Sequence, residues 1–200
     1  MADAFVGEET ISSASMGDEA RHLSLADLKR ALSVMVAPKS HGRLTHMVRR
    51  CEDGGRRELA LRARLTPERG MPGDAWERKP LRFPEAQLAV MQSNVAELVH
   101  NGQPIGLSGD NLFMDLDLSE ANLPIGTRVR IVDVILEVTP KAHNGCKKFA
   151  ARFGHDALRF VSERENRHRN LRGIYMRVIQ AGDVKVGDLV EVLTPSSPRL

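Results

Sequence analysis

Long apolar runs, aromatic residues and cysteines are all scarce in this 200-residue chain, and each scarcity closes off a class of function. No stretch approaches the roughly 20 apolar residues that a membrane-crossing helix needs. Residues 1–17 also lack the basic start and apolar middle of a secretory leader. The expectation is a soluble, cytoplasmic protein with no membrane partner. Aromatics make up 4% of the residues, too few for a platform on which bases stack, so specific nucleic-acid binding is not expected. Cys51 and Cys146 are too few for a disulfide framework and too far apart for a CxxC redox or zinc pair, so both read as free thiols in a reducing compartment.

Several signature motifs are missing too. There is no GxGxxG and no Walker A loop, which removes the usual cradles for nicotinamide and nucleotide phosphates. Gly106-Leu107-Ser108-Gly109 nearly forms a nucleophile elbow, but Asp110 stands where the last glycine is required. HExxH is absent, and His143 with Cys146 supplies only two closely spaced ligands where zinc takes three or four. Nothing in the residues supports zinc, haem, pyridoxal phosphate or nicotinamide as a cofactor.

What is present begins with charge. Residues 1–22 carry five acids against Arg21, a balance of −4, whereas residues 141–177 carry ten Lys and Arg against three acids, a balance of +7. An anionic ligand is therefore to be sought in that basic stretch. Residues 1–22 are acid-, Ser- and Ala-rich without apolar periodicity and read as a mobile arm. Ser24 caps a predicted helix carrying Leu25, Leu28, Leu32 and Met35 at helical spacing, which Pro38 closes, so residues 23–41 form a helix and linker. Short strand-like runs follow from residue 44, the first pair separated by Asp53-Gly54-Gly55. Residues 87–91 read as a strand with Ser93 capping a helix to His100, although one helix over 84–100 fits the periodicity equally.

Further along, residues 128–131 and 134–138 alternate with a phase slip at Val132-Asp133, meaning a bulge or tight turn. Asp156 is placed as the cap of a helix with Leu158, Phe160 and Val161 inside, and Ile174, Met176 and Val178 alternate in a late strand. Many short strands, glycine turns and few helices, without βαβ alternation, predict a mainly β fold. Its form is a closed or strongly curved antiparallel barrel over residues 42–193, with short peripheral helices and a loose tail at 194–200.

Three clusters carry chemistry. In the first, Lys147 and Lys148 flank Cys146 with His143 nearby, an environment that favours the thiolate, the form that binds metals and accepts sulfur. Composition alone leaves open that Cys146 is a small buried apolar residue. Cys51 is read as structural, with Arg49 and Arg50 facing water. In the second cluster, Arg164, Arg167, His168, Arg169, Arg172 and Arg177 surround Gly173, and guanidinium forks match phosphate oxygens. A solvated basic loop is the alternative. The third comprises Gly73-Asp74, Asp110-Asn111 and Gly187-Asp188, which are turn chemistry in the main, with Asn111 able to offer an amide to a heterocycle such as a pterin.

In order, Gly70-Met71-Pro72-Gly73-Asp74, Gly109-Asp110-Asn111-Leu112, Leu123-Pro124-Ile125-Gly126, Gly145-Cys146-Lys147-Lys148-Phe149 and Arg172-Gly173-Ile174-Tyr175 resemble the MOSC family, named for the C-terminal domain of molybdenum cofactor sulfurase. The resemblance implies a β-barrel-like fold with the motif cysteine in a basic pocket. It also implies the molybdenum cofactor, with Cys146 as metal ligand and catalytic centre. Asn111, His143, Lys147, Lys148, Arg169 and Arg172 are then the candidate cofactor-binding residues. Many members read Pro-Cys where this chain has Gly145-Cys146, and Glu where it has Asp110.

Three functions are in play. The first is a reductase of N-hydroxylated small molecules, which needs a separate electron-donor protein because no ferredoxin-like cysteine cluster follows the domain. The second is a sulfur carrier using a Cys146 persulfide, and the third a non-catalytic anion-binding module.

Overall fold

Alternation between inward apolar and outward polar residues, repeated strand after strand, closes the sheet on itself. The computed structural model describes residues 10–12, 17–51 and 56–193. In its first half, chain order runs β1 (Thr10–Ser12), α1 (Leu25–Ser33), β2 (His41–Arg50), β3 (Arg56–Leu59), β4 (Arg62–Leu65), β5 (Leu88–Gln92) and α2 (Ser93–His100). β6 (Leu112–Met114), β7 (Arg128–Ile131), β8 (Val134–Val138), α3 (Lys147–Phe153) and α4 (His155–Ser162) follow. The last three strands are β9 (Ile174–Gln180), β10 (Gly182–Lys185) and β11 (Leu189–Leu193).

Seven strands in the order β2-β11-β7-β8-β9-β5-β6 form a closed barrel, because β6 pairs back onto β2. A register shift between Leu44 and His46 bends β2 at that closure. β3 and β1 extend the sheet beyond β2, while β4 and β10 form a separate two-stranded ribbon. Leu44, Leu88, Val90, Leu112, Met114, Val129, Leu136 and Met176 fill the barrel, each contributing about 1.5–3 kcal/mol by burial. The alternate residues Met91 and Phe113 point outward, into a second core shared with Leu28 of α1, Val95 of α2, Phe149 and Phe153 of α3 and Phe160 of α4.

The expected mainly β barrel is the observed fold, with one difference in its pairings. β5 and β6 run parallel, Val90 opposite Leu112, so β5-α2-β6 is a βαβ unit that the periodicity had not suggested. A parallel pair needs a crossover, and α2 supplies it. The phase slip at Val132-Asp133 is a two-residue turn joining Ile131 to Val134, with Val132 at φ 55°.

Other expectations change in detail. The 84–100 region is a 3₁₀ turn, strand and helix rather than one helix. Ser93 is the first residue of α2 and bonds Thr45, while Gln92 occupies the cap position. Asp156 lies inside α4 and accepts instead from the Leu25 amide, capping α1 in partnership with Ser24. Of the arm expected to be mobile, residues 10–12 pair with β3, and residues 17–22 pack on the domain through the Asp18 amide on Gln103 and His22 on the Arg152 carbonyl. Asp53-Gly54-Gly55 and the 194–200 tail lie outside the described residues.

Candidate functional site

Two acids at the bottom of the site organise the cations around it. Asp74, in the loop after β4, takes a bidentate pair from Arg50 (2.9 and 2.5 Å) and the Arg50 amide (2.9 Å). Burial alone would raise the Asp74 pKa, but Arg50 outweighs it and holds it below the usual range. Asn111 sits between them, 0% exposed. Its carbonyl accepts from the Ala89 amide and Arg50, and its amide donates to Asp74 and the Val48 carbonyl. Every polar atom of Asn111 is therefore engaged inside the protein.

Asp110 is also 0% exposed and accepts from Nη1 of Arg172 at 2.9 Å on both oxygens. Gly109, at φ +79°, turns the chain so that Asp110 points inward. Gly173 does the same for Arg172: a Cβ there would lie 2.2 Å from the Val90 carbonyl oxygen, so β9 enters tight against β5. The Arg172 guanidinium lies 4.9 Å over the ring of Phe149, which ties it to α3, and its Nε is buried without a partner among the described residues. On the other side of Asp110 stands His143, with Nε2 3.6 Å from the carboxylate, its ring 4.4 Å from that of Tyr175 and its Nδ1 buried without a partner among the described residues. Burial, then the charge of Arg172, push the His143 pKa down to about 3, so the ring is neutral.

More cations crowd the same region. Arg57 is buried and donates to the carbonyls of Gly106 and Leu107, and burial and its neighbours Arg152 and Arg50 lower its pKa to about 10. Arg49 pairs with Glu58, on which Cys51 also donates. Arg49 and Arg50 thus hold acids rather than facing water as expected. Among the described residues Arg49 is paired with Glu58, Arg50 with Asp74 and Arg172 with Asp110, while Arg57 is held by carbonyls.

Cys146 is exposed, at the cap position of α3, and acts electrostatically on Arg152 and Tyr175. Lys147 and Lys148 beside it are exposed. The candidates divide between several places. His143 and Arg172 line a cavity of about 870 Å³ with Lys141, Thr139, Arg167 and Ile174, whereas Arg169 lines a different one of about 270 Å³ against α1. Leu171 forms part of both walls. Cys146, Lys147 and Lys148 border neither, and Asn111 lies buried beneath. Arg50, Arg57, Arg152 and Tyr175 were not singled out from the sequence. The one available signal was the pair of glycine-following aspartates, Asp74 and Asp110, which reads as turn chemistry. Among the described residues no group of three His, Cys, Asp or Glu is placed to hold a metal ion.

A sequence model of the MOSC domain matches residues 75–191, more than half of the chain, and the chain belongs to the MOSC family. The barrel itself begins earlier, since β2 closes it. Comparison with curated proteins finds no match. Among solved structures the fold is similar to the YUAD protein from Bacillus subtilis, at 17% identity and a TM-score of 0.53, covering 80% of this chain and 100% of that one. It is similar also to YiiM from Escherichia coli, at 19% identity and a TM-score of 0.52, covering 78% and 71%.

Proposed function

We propose that this MOSC-family protein binds a molybdenum cofactor between Cys146 and the arginine-lined cavity and reduces N-hydroxylated small molecules, taking electrons from a separate donor protein. The observation that carries this reading is a cavity walled by Lys141, Arg167 and Arg172, together with the accessible thiol of Cys146. A phosphorylated pterin answers the charge, and a thiolate answers a high-valent metal.

The residues present suit such a group. A metal–pterin brings ligands of its own, so a single protein thiolate completes its attachment. Cys146 would be the protein ligand. Arg172, whose buried Nε lacks a partner, and Arg167 and Lys141 on the cavity wall would hold anionic oxygens. Bound there, the cofactor supplies two-electron redox chemistry. The chain's own part is to orient and to keep water out: Phe149 beneath Arg172 and Leu123, Val138 and Ile174 on the wall are apolar.

The sulfur-carrier reading is favoured by one feature, that the exposed Cys146 borders neither cavity and is open to a partner's thiol. Molybdenum per chain, measured after anaerobic purification from a host that makes the cofactor, tests the proposal. Near-stoichiometric metal that Cys146→Ser abolishes supports it. Metal-free wild-type protein carrying a labile persulfide on Cys146 turns the assignment to sulfur transfer. Metal-free protein without persulfide leaves a plain anion-binding module.

A further inference from the structure

We propose that His143 and Arg172 together read a planar lactam-type edge, an N–H donor beside a carbonyl oxygen, on the molecule that fills the large cavity. This deepens the functional reading above and rests on it only for the identity of the cavity as the ligand site.

Two buried polar atoms on one wall want partners. The Arg172 Nη1 is committed to Asp110, whereas its Nε–H, on a side chain 9% exposed, meets no acceptor. Nδ1 of His143, on a side chain 7% exposed, meets nothing either. Leaving such groups unpaired is unfavourable, and both residues line the cavity of about 870 Å³. They are neighbours in space, because both reach the same Asp110 oxygen, Arg172 Nη1 at 2.9 Å and His143 Nε2 at 3.6 Å.

Their polarity is opposite. Nε2 of His143 faces the Asp110 carboxylate at 3.6 Å, an arrangement that favours a proton on Nε2 and repels a lone pair there. Burial and the nearby Arg172 keep the ring from taking a second proton. Nδ1 is thus an acceptor, while the Arg172 Nε is a donor. Tyr175, whose ring packs at a tilt of 40° against the imidazole, and Gly173, which admits no side chain, hold the pair in place. A ligand that satisfies both must offer a donor and an acceptor side by side, as an amide in a ring does. Apolar residues Leu123, Pro124, Ile125, Val138 and Val161 flank the space that a flat ring would occupy. Such an edge belongs equally to a pterin and to a heterocyclic substrate.

The test uses cofactor-free protein and two probes, quinazolin-4(3H)-one and its 3-methyl derivative, titrated by calorimetry or saturation-transfer NMR. Wild type is expected to bind the parent about tenfold more tightly than the N-methyl compound. His143→Phe, which keeps the stack on Tyr175 but has no acceptor, should bring the two affinities together. His143→Gln, which keeps an acceptor, should retain most of the preference. Equal affinity for both probes in wild type, or a preference unchanged in a folded His143→Phe protein, overturns the inference whatever the metal content. Selectivity in a protein that never takes up molybdenum supports it and sinks the cofactor reading instead. Repeating the titration on cofactor-loaded protein separates the two sources. Selectivity lost on loading assigns the pair to the pterin, and selectivity that survives assigns it to the substrate.

Discussion

Removing the charge of Asp110 should be among the most damaging single-atom changes available in this protein. The Asp110→Asn side chain keeps the volume and one acceptor, yet strands the Arg172 guanidinium, 9% exposed, without its counter-ion. Breaking a buried pair from one side costs about 3–5 kcal/mol. Since the amide oxygen still accepts from Nη1, the low end applies, about 3 kcal/mol, or a melting temperature lowered by roughly 6–12 °C for a domain of this size. Urea unfolding of both proteins at several pH values measures it. Burial pushes the Asp110 pKa up, but the charge and hydrogen bonds of Arg172 more than offset this, so the folded value lies below the ordinary one. The pair's stabilisation is therefore complete above about pH 4 and is lost as the pH falls through the depressed folded value. The gap between wild type and variant should be constant from pH 7 to 5 and narrow below 4. Arg172→Met in the Asp110→Asn background should recover much of the loss, because it removes the stranded charge. A gap under about 1 kcal/mol at pH 7, or one that widens in acid, would refute the reasoning.

Two further outcomes follow from burial and backbone. Gly173→Ala should lower the melting temperature sharply or prevent folding, because φ is +101° and the added methyl would meet the Val90 carbonyl. Gly126→Ala, at φ +87° with open space around it, should cost only about 1 kcal/mol, and equal effects in a thermal-shift comparison would contradict the packing described. His100, buried against Phe153, has a pKa lowered to about 4 by burial. Between about pH 6.5 and 4 the unfolded chain takes up a proton at His100 that the folded one refuses, so His100 should remove about 3 kcal/mol of stability across that window, in addition to the loss that buried His143 brings to it. His100→Leu should make that part of the profile shallower by the His100 share, and identical slopes in both proteins would show that His100 does not contribute to it.

Local pattern was legible where one face of an element meets the core and the other meets water. Ser24 to Pro38 announces α1, the alternation around Val132-Asp133 announces the β7–β8 hairpin, and Ile174, Met176 and Val178 announce β9. β5 and β6 are harder, since Leu88–Gln92 is buried on both faces and shows no period. Their parallel pairing depends on where α2 packs, which no local signal carries. At the site, residue type singled out His143, Cys146 and Arg172, because few other roles suit those side chains in a basic loop. Asp74 and Asp110 followed glycines and so resembled turn residues. Their importance lies in Arg50 and Arg172, which are 24 and 62 positions away in the chain. Arg57 carried no signal and Tyr175 only its place in a motif, since an arginine or tyrosine in a strand is ordinary until burial makes it otherwise.

The sequence by itself determined the barrel, the peripheral helices, the basic stretch and the family to which the chain belongs, because periodicity, turn chemistry and ordered motifs are properties of neighbouring residues. Only the tertiary structure decided which cations are held by acids, that Asn111 is consumed internally, and that Arg169 and Arg172 line different cavities. Those outcomes rest on burial and on contacts between distant strands. A charge costs little in water and several kcal/mol in the interior, so what a residue can do is set by what closes over it.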